Sequence, residues 1–325
     1  MKLRTSLTVL IAFVLTAACS GGGGETSTRS ASGPGLEKTE MTIGTMPVVD
    51  VAPLQLAVRD GLFAKEGLQV KLQTLAGGAE AIPKLKSGAL DVSFGNYVSF
   101  FSASAKNVLD LKVVADGFQS APKTHVIMVP KDSPIASPAD LAGKTIAVNT
   151  RRNVGTMLVR VAADAHGVKL DEDDNFVEFP FPEMEAVLRQ KKVDAALVVE
   201  PFGTLLSQSI GAKMIWDTAQ GPTADFPIAG YATTGGFAKE NPKTLAAFQR
   251  AMVKAQAVAA DRAEVVEIIP TYTKIESGVA GSLAIGGFPT SLNATRLQRV
   301  ADSMREYGLL AEDLNVSDLL FSPSR

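Results

Sequence analysis

Cysteine, histidine and tryptophan are nearly missing from this chain: one Cys, two His and one Trp in 325 residues. Two histidines nearly exclude a His-based metal cluster, since a catalytic zinc commonly needs two or three such ligands. A lone cysteine closes no intrachain disulfide, so the folded body must be held by its core alone. Aromatic residues make up 6%. An excess of charge of one sign is missing too: 32 Lys and Arg face 34 Asp and Glu, a formal charge of −2. That balance offers no reason to expect nucleic acid or an anionic membrane surface as partner. Also absent are G-x-S-x-G, G-x-x-x-x-G-K-[ST] and any Cys/His pair in the mature body. The expectation is therefore of no enzyme, no catalytic residue, no metal and no cofactor. What is present is 46% hydrophobic residues, enough for one large domain or two medium ones.

The first residues form a leader. Lys2 and Arg4 precede the apolar stretch LTVLIAFVLTAA (7–18), which is shorter than the roughly 18 residues of a membrane span and has the form of a secretory signal. Thr16, Ala17 and Ala18 directly before Cys19 resemble a bacterial lipobox, in which the cysteine is lipidated and becomes the new N-terminus. The pattern departs at Thr16, where leucine is more usual; Leu15 stands one place earlier. The other reading is an ordinary signal peptide with a stray cysteine. The Gly/Ser/Thr-rich segment that follows suits a flexible tether. The expected organisation is a signal peptide at 1–18, lipidated Cys19 with its tether over 19–40, and a body exported and anchored on the outer face of the cytoplasmic membrane.

From residue 41 short β-branched runs alternate with helical patterns. Thr42-Ile43-Gly44 opens a strand, PLQLAVRDGLFAKEG (53–67) has helical spacing, LQVKLQTL (68–75) alternates as a strand, 77–88 is a helix and DVSFG (91–95) a strand. The order recurs as KTIAVN (144–149), VGTMLVRVAADAHG (154–167), NFVEF (175–179), PEMEAVLRQKK (182–192) and DAALVVEP (194–201). Two β-α-β-α-β units imply parallel sheets flanked by helices, and two lobes with a cleft between them.

The runs DGLFAKEGLQVKL, GGAEAIPKLKSGALDVSFGN, DSPIASPADLAGKTIAVN, FPFPEMEAVLRQKKVDAALVVEPF and GYATT, in this order, resemble the type II periplasmic-binding-protein fold. Within it they resemble the nitrate/sulfonate/taurine and thiamine-pyrimidine substrate-binding family of ABC importers. The resemblance covers about 41–310. It implies an α/β protein of two mixed, mostly parallel sheets, with lobe I at 41–127 plus 231–325 and lobe II at 128–230. It implies a monomeric receptor that hands a small solute to an ABC permease and its ATPase subunit. A sulfonate, nitrate or related organic anion is favoured; a thiamine-type pyrimidine or other small heterocycle is the alternative. A non-transport sensory protein or an enzyme on the same fold are further readings.

In such sheets ligands bind beyond the carboxyl ends of strands, here at 45–50, 76–79, 95–98, 149–156, 180–183 and 199–203. Pro47 and Val48 lie in the first of these turns. Gly77 and Gly78 let backbone approach a ligand ahead of a helix N-terminus. Asn96 can donate and accept, and Tyr97 offers a flat face and a hydroxyl; a turn Asn and a core-edge Tyr are the plain alternative. Asn149, Arg151, Arg152, Asn153 and Thr156 sit at one strand-to-helix turn, where an arginine could grip an acidic solute or simply be solvated. Phe181 and Phe202 are apolar walls or core, and Tyr231 lies in the return strand GYATT. Glu200, ending a buried strand, is a candidate ligand wall or lobe-closing residue. His125 fits a packed strand position, His166 a helix end, Trp216 the core. Asp171–Asp174 forms a solvated acidic loop without the EF-hand pattern.

Overall fold

A computed structural model describes residues 35–323. The signal peptide, Cys19 and most of the tether lie outside those residues. The first sheet is built from β1 (Glu40–Thr45), α1 (Ala52–Arg59), β2 (Gln69–Thr74), α2 (Gly78–Lys86), β3 (Val92–Asn96), α3 (Tyr97–Ala105) and β4 (Leu111–Gln119). The second contains β5 (His125–Val129), β6 (Ile146–Val148), α4 (Val154–Asp164), β7 (Phe176–Glu178), α5 (Met184–Arg189), β8 (Ala195–Val199), α6 (Phe202–Ile210) and β9 (Lys213–Asp217). The chain then returns through β10 (Pro227–Thr234) and ends in helices that include α7 (Pro242–Val258) and α8 (Ala294–Glu306).

One expected helix divides. The pattern over 53–67 predicts a single element, but Gly61 takes the left-handed conformation (φ 63°) and separates α1 from a short turn of helix at Leu62–Lys65. Glycine enters that region freely, and a right-handed helix cannot pass through it.

The sheets share one plan. Their orders are β2-β1-β3-β10-β4 and β7-β6-β8-β5-β9. The first three strands of each are parallel, and the fourth is antiparallel to both its neighbours. Four strands of each sheet therefore run one way and one runs back. The repeat seen in the sequence is thus a repeat of topology, with two mixed, mostly parallel sheets. The chain passes between sheets at 120–124 and returns at 218–226. The expected lobe boundaries at 127/128 and 230/231 fall inside β5 and β10; we place the proposed division at the two connections instead. The connections lie side by side: Thr218 bonds the carbonyl of His125 through its N–H (3.1 Å) and hydroxyl (2.8 Å), and the N–H of Lys123 bonds Asp217 (2.9 Å).

Central strands β3, β5 and β8 are buried along their whole length, as expected of strands covered on both faces. The open edge of β4 is covered by later chain: Phe321 donates to Val113 (2.8 Å), and Gln119 and Gly287 exchange backbone bonds. Such cover removes a template for edge-to-edge pairing. The C-terminal helix α8 is tied down by Arg296, which pairs with the buried carboxylate of Asp116 and bonds Gln119 (3.1 Å). Asp116 also accepts from the Tyr97 hydroxyl (2.7 Å), and its carbonyl accepts from Gln256 (2.5 Å). Removing one partner of a buried, hydrogen-bonded ion pair strands the other charge, at a cost of about 3–5 kcal/mol. Arg296→Ala is accordingly expected to lower unfolding stability by about that amount in urea titration; a loss below about 1 kcal/mol would mean that this network does not hold α8.

Candidate functional site

Because four strands of each sheet share one direction, their carboxyl ends gather on one edge. The reversed strand puts its beginning on that same edge. These edges face one another across a cavity of about 30 Å³, room for a water or two. From the first sheet it is lined by Met46, Val48 and Asp50 after β1, by Phe94 and Asn96 at the end of β3, and by Ile228 and Ala229 at the start of β10. From the second come His125 at the start of β5, Asn149 after β6, Asn153, Val154 and Gly155 at the head of α4, Phe181 after β7, and Leu197 and Val199 in β8.

At three of the helix heads on this edge, those of α3, α4 and α6, side chains of the chain itself meet free N–H groups, while the heads of α1, α2 and α5 carry no side-chain cap bond. Asn96 accepts from Ser99 N–H (2.8 Å) at the head of α3. Asn153 accepts from Gly155 (2.8 Å) and Thr156 (3.4 Å) at the head of α4. Glu200 accepts from Thr204 N–H (3.1 Å) in the first turn of α6, and Glu80 from Ala76 N–H (2.7 Å) just ahead of α2. Asn149 accepts from the Asn153 amide (3.1 Å).

Asp50 is different. It is 6% exposed and stands in the 3-10 turn Val49–Val51 that leads into α1. Among the described residues it has no ion-pair partner and no side-chain hydrogen bond to another residue. Burial pushes its carboxyl up to about 7, opposed by its own backbone N–H. The buried hydroxyls of Tyr231 and Tyr272, without partners among the described residues, are pushed up chiefly by burial and lie near enough to Asp50 for its charge to disfavour their ionisation further. Across the cavity burial lowers His125 to about 4, which keeps the ring neutral; its Nδ1 lies 3.2 Å from the Thr124 hydroxyl.

The candidate residues thus separate. Val48, Asn96, Asn149, Asn153 and Phe181 line the cavity. Gly77 and Gly78 open α2, and a Cβ on Gly77 would come within 2.7 Å of Thr150 Oγ1 and 3.1 Å of Asn149 Nδ2, a close meeting of the two sheets' loops. Pro47 and Phe202 line an outer groove with Pro182 and Leu205, and Phe202 stacks on Phe181 at 5.5 Å. Tyr97 is buried with its hydroxyl spent on Asp116, and Tyr231 packs between Phe94 and Phe248. Thr156 is buried in the cap of α4, its hydroxyl bonded to the Asn153 carbonyl (3.0 Å). Arg151 and Arg152 are not among the cavity residues: both pair with Asp173, and their N–H groups donate to Glu178 and Glu172 (2.6 Å each). The acidic loop expected to be plain solvated surface is what holds them.

Glu200 does not line the cavity but joins its walls. Its carbonyl accepts from Val49 (3.0 Å), and its carboxylate accepts from Thr204 hydroxyl (3.0 Å) and from Ala284 N–H (3.3 Å). Burial pushes its carboxyl above the ordinary glutamate value, offset in part by the Thr204 and Ala284 donors. Sequence reasoning missed Asp50 and His125. Asp50 stands at a helix start, where acids are common, and His125 at the beginning rather than the end of a strand; only the reversal of β5, which no local sequence signal marks, brings it to the cavity.

Residues 34–270 match the model of the NMT1-like family. A nitrate/nitrite binding protein, NrtA, of Nostoc sp. is 23% identical over 250 residues, covering 70% of this chain and 55% of that protein. A protein of Brachyspira hyodysenteriae, named provisionally as an ABC transporter periplasmic binding protein, is 27% identical over 232 residues, covering 66% and 62%. The match thus spans a little over half the length of these relatives. Among solved structures, the alkanesulfonate-binding protein SsuA from Xanthomonas axonopodis pv. citri, bound to MOPS, superposes with a TM-score of 0.73 at 17% identity, covering 87% of this chain and 98% of that one. The periplasmic nitrate-binding protein NrtA from Synechocystis gives 0.70 at 16%, covering 88% and 86%. At such identity the structures establish the fold, which is the periplasmic-binding-protein arrangement that the motifs resemble. With nearly three quarters of its length matched by the family model, the chain belongs to the NMT1-like family.

Proposed function

We propose that this protein is the extracytoplasmic solute-binding component of an ABC importer, lipid-anchored through Cys19, and that it takes its solute into the cavity between the two sheets. The observation that carries the reading is the cavity itself: small, built from both sheets at one edge, and holding a buried carboxylate, a neutral imidazole and amides inside apolar walls. The relatives named above are binding proteins, which supports capture rather than turnover. No nucleophile and base stand together among the cavity residues.

In this reading the solute enters with the lobes parted, because about 30 Å³ is too little for anything larger than a few atoms. Closure is then registered by the contacts that join the walls: Val49 with the Glu200 carbonyl, Glu200 with Ala284, and Gly77 against Thr150. The proposed ligand residues are Val48, Asn96, Asn149, Asn153 and Phe181, with Glu200 and Gly77 closing the lobes. Nitrate and alkanesulfonates enter the candidate panel from the relatives' names, and pyrimidines from the motif resemblance.

A bound solute stabilises the folded state by RT ln(1 + [L]/Kd), about 2.7 kcal/mol at a hundredfold excess. A thermal-shift screen of sulfonates, nitrate, carboxylates, amines and pyrimidines is expected to find at least one stabilising solute; a flat response across all of them would remove the reading. Gly77 has extended backbone (φ −177°) that any residue adopts, so Gly77→Val acts through its bulk alone. It should wedge the lobes, enlarge the radius of gyration in small-angle scattering and weaken solute binding about tenfold or more, roughly 1.4 kcal/mol, while unfolding stability changes by less than about 1 kcal/mol. For the anchor, Cys19→Ser should move the exported protein from the membrane fraction to the aqueous one; continued membrane association would exclude lipidation at this residue.

A further inference from the structure

We propose that Asp50 determines which solute this cavity accepts, and that it selects a small solute carrying a protonated or N–H-bearing nitrogen, an amine or an amidine, over a simple anion. The inference rests on the solute-binding reading above and deepens it.

Three observations point the same way. First, an anion site at the sheet edges would draw on free helix N–H groups, and at three of the helix heads there, α3, α4 and α6, the chain's own oxygens already meet such groups at Ser99, Gly155, Thr156 and Thr204, while the uncapped turn ahead of α1 carries the carboxylate of Asp50 itself. Second, no lysine or arginine lines the cavity, and the two arginines closest in sequence, Arg151 and Arg152, are held by Asp173. Third, at the 3-10 turn that leads into α1 the cavity presents Asp50, a carboxylate more than nine-tenths buried and without a partner among the described residues. An unpaired buried carboxyl is costly unless it is neutralised or given a cation or donor. The groups placed near it are the hydroxyls of Tyr231 and Tyr272, which lie within reach of its charge, and His125, which lines the same cavity and is kept neutral by burial. None supplies a positive charge.

The remaining polar atoms complete the selection. The side-chain oxygens of Asn96 and Asn149 are engaged, which leaves their NH₂ groups as donors. A nitrogen that gives N–H bonds meets Asp50, and a lone pair elsewhere on the same solute would meet those amides; a bare cation such as methylammonium or acetamidinium tests the Asp50 contact alone. A nitrate or sulfonate would meet the amides and be repelled by the carboxylate.

The test uses the purified protein with acetamidine and methylamine as nitrogen probes, and nitrate and methanesulfonate as anions of similar size. Binding is followed by calorimetry and thermal shift between pH 5.5 and 8. At pH 8 the nitrogen probes should bind and the anions should not. Affinity for acetamidine should fall about tenfold per pH unit as pH drops below about 7, because the cation then competes with a proton on the carboxyl. Asp50→Asn, which keeps the shape and removes the charge, should abolish nitrogen-probe binding and raise the melting temperature at pH 8 in the absence of solute. Should that variant fail to fold, the pH profile of the unaltered protein decides: a flat profile overturns the proposal. Binding of nitrate or methanesulfonate with no effect of Asp50→Asn would also overturn it while leaving the solute-binding reading intact. Silence from all four probes would overturn this assignment, and the wider screen above then decides whether the solute-binding reading falls with it.

Discussion

Strands joined by helices in right-handed succession must finish on the same edge of their sheet, and each helix that follows begins there with unsatisfied N–H groups. Here that constraint acts twice, because two sheets of the same plan face each other. The buried edge must satisfy those donors or be left open for a ligand that does. At three of these heads the chain meets them itself, with Asn96, Asn153 and Glu200. Capping there does more than stop fraying. Under the proposed function it takes the positive ends of α3, α4 and α6 out of a solute's reach and leaves the cavity's character to the groups that remain.

Two of those groups titrate, and they pull stability in opposite directions. The Asp50 carboxyl stands at about 7 in the folded chain against 3.8 for an ordinary aspartate. As pH rises between those values the unfolded chain releases its proton first, so this group's contribution is full below about 4 and is lost on rising through 7. His125 stands at about 4 against 6.5. As pH falls between those values the unfolded chain takes up its proton first, so this contribution is full above about 6.5 and is lost on falling toward 4. Across pH 4–7 the two partly cancel, and a folded state without solute gains little from either extreme. A cavity that keeps an unpaired acid beside a neutral ring gives up stability, which under the proposed function serves selectivity, a common exchange at binding sites.

Much of the frame was legible in the sequence because it depends on local signals. Gly67, Gly88 and Gly167, all at positive φ, mark ends of helical segments, and the β-branched runs mark strands that are buried on both faces. The placement of Asn96, Asn149 and Asn153 followed from the rule that ligands gather beyond carboxyl ends. What the sequence did not expose was direction. Nothing local in THVIMV or PIAGYATT says that these two strands run against their neighbours, yet that reversal puts His125, Ile228 and Ala229 at the cavity. Nor does composition say which of two turn residues faces inward: Arg151 and Arg152 are turned toward Asp173 by an acidic loop more than twenty residues away in sequence. Tyr97 and Tyr231 show the converse, since aromatic residues near a predicted cleft proved to be core.

The walls of the cavity are joined by packing of one apolar cluster that draws on both sheets, and by hydrogen bonds at Glu200. Each of the two backbone donors on Glu200 contributes about 1 kcal/mol net. Beside them run two connections that bond to one another at Thr218 and His125, and so can bend together as a pair. Under the proposed function, an equilibrium between parted and closed lobes responds to a solute that touches both walls, because only differential contact moves it. Asp50 and Asn96 belong to one wall, Asn149 and His125 to the other. A solute held by Asp50 alone would bind without closing the protein. One that also engages Asn149 would couple recognition to closure, and with it to the shape offered to a permease.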